Sequence, residues 1–228
     1  ADTTECYAPG PTDFELYLAF EGAGRATAEQ TLGQQLVLGY GLTERLSGYF
    51  STTLTADGNL VHPETETAAG LYGTPLDSDH LDLDVFLGFG VQGGDRFTAG
   101  PGLELNWDAA PDLDAWGLYV RSGLAVSGHE TDAGFGRTTD LELTLGCYWT
   151  VAPGRQFLLE FDGCTEDQES HLHGTEKEWS IGGWALGFNA SLNRTMELIT
   201  QVYLDVPDDG EDYGLGAMVG FIATMSTD

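Results

Sequence analysis

Residue types that could do chemistry are few in this chain. His171 and His173 flank Leu172, downstream of Cys164, Glu166, Asp167 and Glu169. Alternate residues of an extended segment point the same way, so His171 and His173 with the Cys164 thiolate could hold a divalent cation such as zinc or copper from one side. His129 and Glu130 form a similar polar pair. The plainer reading is two solvated loops and no cofactor. Catalysis has less support. A serine nucleophile needs an adjacent base, yet no His-x-Ser occurs; an Asp-x-His element that could activate water is also missing, although Asp82 and Asp84 alternate. No enzyme is expected.

A larger set of acidic groups recurs at alternate positions within apolar segments: Glu15, Asp82, Asp84, Glu104, Asp140, Glu142, Glu160, Glu197 and Asp205, with Arg121 the clear cation among them. Alternation of this kind puts the charges on one face of a sheet and the apolar residues on the other. "LELTLGCYWTVAPGRQFLLEFDG" (141–163) is the clearest case, a hairpin with Leu141, Leu143 and Leu145 on one side and Glu142 and Glu160 on the other. The same polar row carries Tyr17, Tyr119, Asp162, Gln201, Tyr203 and many glycines, among them Gly88, Gly100, Gly102, Gly117, Gly146 and Gly216. Glycine supports an exposed soluble strand poorly, but it relieves crowding inside a curved, closed sheet.

Period-two patterning predicts strands near 13–22, 32–42, 46–56, 66–75, 80–91, 96–107, 115–127, 138–149, 156–163, 178–190, 195–206 and 213–225, with 66–75 the weakest pattern. Tight connections such as 43–45, 76–79, 151–155 and 193–195 alternate with more polar ones at 23–31, 57–65, 128–137 and 164–177. An up-and-down barrel in an outer membrane sorts its connections in this way. Trp107, Trp116, Trp149 and Trp179 fall at strand ends, where an interfacial girdle needs them. The expected fold class is all-β: an antiparallel, up-and-down transmembrane β-barrel of about twelve strands. Residues 1–12 are then a periplasmic arm, 13–225 the barrel and 226–228 a tail.

Composition agrees. The 228 residues include 32 Gly, 11 Phe, 9 Tyr and 5 Trp, and 37 acidic side chains against 8 basic ones give a net charge of −29. Such a surface repels nucleic acid. No apolar run is long enough for a membrane helix, but barrel strands need only about 9–11 residues. The start at Ala1, with neither Met nor an apolar leader, reads as the mature end left by signal-peptide cleavage. Cys6, Cys147 and Cys164 contain no CxxC; Cys147 falls opposite about residue 159, so a bridge to Cys164 would need the strand end to fold back.

"YGLTERLSGYFS" (40–51), "DRFTAGPGLELNWD" (95–108) and "LGFNASLNRTMELITQVYLD" (186–205) resemble the strand–turn–strand phrases of small Gram-negative outer-membrane barrels, including the channels of the meta-pathway phenol-degradation type. The resemblance is spread over most of the chain and implies an outer-membrane barrel with a porin-like transport role. One departure is the end, "ATMSTD", where such barrels often finish on an aromatic residue; Phe221 is the nearest.

The expected function is a narrow, partly obstructed acidic channel for small polar or cationic solutes, with outer-membrane lipid as its surroundings. A second reading is a structural barrel that anchors an extracellular or secreted protein partner through acidic outer loops. A third is a soluble barrel or sandwich binder with its leucine row inside.

Overall fold

The computed structural model describes residues 13–25, 30–57, 63–93, 96–109, 116–131, 134–170, 174–206 and 213–225. Twelve strands follow one another: β1 (Phe14–Arg25), β2 (Gln30–Thr43), β3 (Leu46–Asp57), β4 (Glu64–Leu76), β5 (Leu81–Gln92), β6 (Arg96–Asp108), β7 (Trp116–Thr131), β8 (Gly134–Ala152), β9 (Arg155–Ser170), β10 (Gly174–Ser191), β11 (Met196–Asp205) and β12 (Gly214–Met225). Each pairs antiparallel with its neighbour in the chain, and β1 pairs with β12 from Phe14↔Met225 to Arg25↔Gly214, closing the barrel. Closure leaves no sheet edge, so the backbone polar groups are satisfied within the wall, as hydrocarbon surroundings require.

The aliphatic row faces outward. Phe20, Phe50, Leu54, Phe89, Leu103, Leu145, Leu186, Val202 and Leu215 are all exposed, on strands spread around the whole circumference. A continuous apolar belt of this extent is a lipid-facing surface, not one a protein keeps in water. It overturns the soluble-binder expectation, because the leucines do not pack against one another in the middle. Trp107, Trp116 and Trp149 stand outward on adjacent strands at the end with the tight turns, where Trp107 and Trp116 meet edge to face at 5.4 Å. Phe14 against Tyr40 and Phe157 against Phe188 continue the girdle at that end. Trp179 lies in β10, but its side chain falls outside the described residues.

Strand positions follow the alternation closely, including the weakly patterned β4. The polar connections do not. Expected loops at 128–137 and 164–177 are mostly strand: β7 and β8 stay paired out to Thr131↔Gly134, and β9 and β10 out to Ser170↔Gly174. Paired backbone needs no apolar side chains once it leaves the hydrocarbon, so a polar sequence there reads as loop while the ladder continues. The difference between the two ends is therefore one of strand length more than loop length.

Candidate pore and its lining residues

Inside the wall, large rings are matched to glycines. Tyr119 stands opposite Gly146, Tyr148 opposite Gly117, Phe86 opposite Gly102, Tyr203 opposite Gly216 and Tyr49 opposite Gly70. In each pair a Cβ on the glycine would run into the facing ring. Glycine leaves the space into which a neighbouring ring lies down along the wall, a cross-strand partnership that rescues an otherwise weak strand position. The polar-face glycines thus serve particular partners as well as curvature.

Hydrogen bonding runs from strand to strand, so directly opposed residues form a row that climbs the tilted barrel. One such row reads Asp84, Glu104, Arg121, Thr144, Asp162, Gly183, Asp205, across β5 to β11. Arg121 Nε donates to Glu104 Oε2 at 2.6 Å. Asp84 accepts from Thr74 Oγ1 at 2.6 Å and from Asn106 Nδ2 at 3.2 Å, and Asp162 accepts from Thr144 Oγ1 at 2.7 Å. Beside this row Glu160 is 2% exposed; one carboxylate oxygen accepts from the Tyr119 hydroxyl and the other from Gln201 Nε2 at 2.8 Å. Three strands, β7, β9 and β11, are tied by those two bonds over the inner face of β8 and β10.

Not all of the interior is polar. Tyr17, Ala19, Val37, Ile199, Met218 and Ile222 form an apolar cluster on the inner side of β1, β2, β11 and β12, with Tyr49 packed against it. Patterning alone gave no hint of it, because Ala19, Val37, Ile199 and Met218 sit at inward positions where a wet wall predicts polar groups. The cluster fills one side of the bore.

The remaining space divides into two main cavities. That toward the tight-turn end, about 980 Å³, is bordered by Glu15, Asp82, Asp84, Glu104 and Glu197 among others; that toward the opposite end, about 690 Å³, by Glu21, Glu142, Asp162 and Asp205. Arg121 and Tyr72 border both. Of the acidic groups singled out from sequence, Glu160 sits buried beside these spaces, and Asp140 is half-buried on β8 without bordering either cavity. Glu21, Tyr49 and Tyr72 were missed. Tyr72 lies in the weakly patterned β4, and Glu21 in the glycine-rich end of β1, although strict alternation from Glu15 and Tyr17 reaches it.

Cys164 borders the 690 Å³ cavity, its Sγ 3.7 Å from Ser180 Oγ, whereas Cys147 pairs with Leu118 and Leu159 on the outward row. Opposite faces of the sheet exclude a bridge between them. His171 and His173 lie outside the described residues, and among those described no group of three His, Cys, Asp or Glu is placed to hold a metal ion. Residues 1–12 and 226–228, assigned from sequence to an arm and a tail, are likewise outside them.

No protein-family model matches the chain, and no curated protein matches it in sequence. Solved structures do match in shape. An outer membrane channel from Pseudomonas putida F1, of the COG4313 group, superposes with a TM-score of 0.71 at 10% identity, over 99% of this chain and 100% of that one. The NanC porin gives 0.66 at 11% identity, over 90% and 98%. The KdgM porin, solved in complex with disordered oligogalacturonate, gives 0.63 at 8% identity, over 92% and 98%. The chain has the twelve-stranded barrel fold of outer-membrane porins and channels.

Proposed function

We propose that this barrel resides in the outer membrane of a Gram-negative bacterium and is a narrow channel for small polar or cationic solutes. The observation that carries this reading is the climbing row Asp84–Glu104–Arg121–Thr144–Asp162, which begins at the tight-turn cavity, passes Arg121, which borders both cavities, and ends in the other. A solute moving along it meets the side-chain oxygens of Asp84, Glu104, Thr144 and Asp162. Carboxylates outnumber cations along both cavities, and Arg121 is held by Glu104, so the local field favours cations and opposes anions. The shape likeness to porins supports passage in general, and the phrases at 40–51, 95–108 and 186–205 support the phenol-degradation type of channel as a relative.

Reconstitution in planar bilayers tests it. A small conductance with a reversal potential on the cation side is expected in a KCl gradient. Arg121→Gln should shift that potential further toward cations and enlarge the conductance. A sealed bilayer at every voltage, with folded protein inserted, would leave the structural, partner-anchoring barrel as the better account.

A further inference from the structure

The 690 Å³ cavity has two unlike walls. Tyr49, Tyr72 and Phe86 come from the adjacent strands β3, β4 and β5, with Tyr72 directly opposite Phe86 in register. Tyr49 lies over Gly70 and reaches Gly88, and Phe86 lies over Gly102, so both rings rest along the wall and turn a face to the space. The rest of its lining includes Glu21, Glu142, Asp162 and Asp205, from β1, β8, β9 and β11. Tyr203 donates its hydroxyl to Glu21 and Thr144 donates to Asp162, which fixes two of these carboxylates in place.

We propose, building on the channel reading, that this cavity is a selectivity site for organic ammonium ions. The pairing of walls argues for that class over others. A hard inorganic cation seeks a cage of oxygens, and among the described residues no group of three His, Cys, Asp or Glu is placed to form one. A neutral aromatic solute would fit the rings but gain nothing from four carboxylates, and an anion meets the wrong sign. An alkylated ammonium uses both: its charge sits between carboxylates and ring faces, and its carbon body covers the apolar part of the wall. The volume falls within the roughly 300–1,000 Å³ of cavities that hold small organic ligands.

Tetraethylammonium is the probe. Added to bilayers carrying potassium current through the barrel, it should block at concentrations where mannitol does not. Tyr72→Leu with Phe86→Leu should weaken the block by about two- to thirtyfold, the range from an exposed to a desolvated cation–π contact. Tyr72→Phe, which keeps the ring, should retain the block. Glu142→Gln with Asp205→Asn should weaken the block and move the reversal potential together. Heat-modifiable migration in gels establishes that each variant is folded. In a barrel that conducts, block that is absent, or unchanged in the double leucine variant, overturns the assignment. The channel reading is separable, because broadening of the tetraethylammonium proton resonance by detergent-solubilised barrel reads binding without current. Broadening that the leucine pair abolishes, in a barrel that conducts nothing, would uphold the site and remove the channel; no broadening and no block would remove the site.

Discussion

Glu160 shows how much one side chain can hold. Its two oxygens take bonds from Tyr119 and Gln201, neither of which reaches the other, and burial leaves no water to substitute for either. Glu160→Gln replaces one acceptor with an amide donor, which the Tyr119 hydroxyl meets only by turning round to accept, a modest cost of about 0.5–1.5 kcal/mol, to be read from urea unfolding in lipid vesicles. Glu160→Ala removes the tie altogether and should raise single-channel conductance. The ring–glycine pairs predict a second set of costs. Gly146→Ala drives a methyl group into the Tyr119 ring and, through it, loosens the bond to Glu160, for about 1–3 kcal/mol of overpacking. Gly22→Ala, where a Cβ would meet only Leu32 at 3.6 Å, should be close to neutral in the same assay.

At the level of strands, β8 and β9 carry two thiols on opposite faces, which gives a direct reading of inside and outside. With Cys6 and Cys147 replaced by Ser, a cationic methanethiosulfonate should modify Cys164 roughly tenfold faster than an anionic one, reflecting the acidic field at the cavity. In the converse variant Cys147 should resist both and react only with a membrane-permeant maleimide. Labelling of Cys147 in preference to Cys164 by the charged reagents would mean that the strands face the other way.

Strands were also the level at which the sequence was most readable. Alternation in segments such as Leu81–Gln92 specifies both the element and its lipid face, because a one-residue slip would invert every side chain. The extensions of β7 to β10 were not readable, since beyond the hydrocarbon no apolar row is needed to keep a ladder paired. Among the residues that border the two cavities, Asp84, Glu104, Arg121 and Glu142 declared themselves as charges inside apolar runs. Tyr72 did not, for its strand is rich in Ala, Gly and Thr, and the inner cluster around Val37 and Ile199 did not, because apolar residues on both faces erase the contrast from which a face is inferred.

On the scale of the whole barrel, the net charge of −29 makes ionic strength a control variable. The field of wall carboxylates reaches about 10 Å in 0.1 M salt and about 3 Å in 1 M. The cation preference of the reversal potential should therefore shrink steadily between those concentrations, whereas a preference set by close contact alone would persist.

Strand length varies around the barrel in an ordered way. β8 has 19 residues and β10 has 18, while β11 has 10 and β12 has 12, and about 9–11 suffice to cross the bilayer core. The surplus lies away from the tight turns, at roughly 3.3 Å per residue, so at that end the paired wall of β7 to β10 extends well beyond that of β11, β12 and β1. For the proposed channel this uneven rim predicts that bulky molecules meet more of the paired wall on one side than on the other.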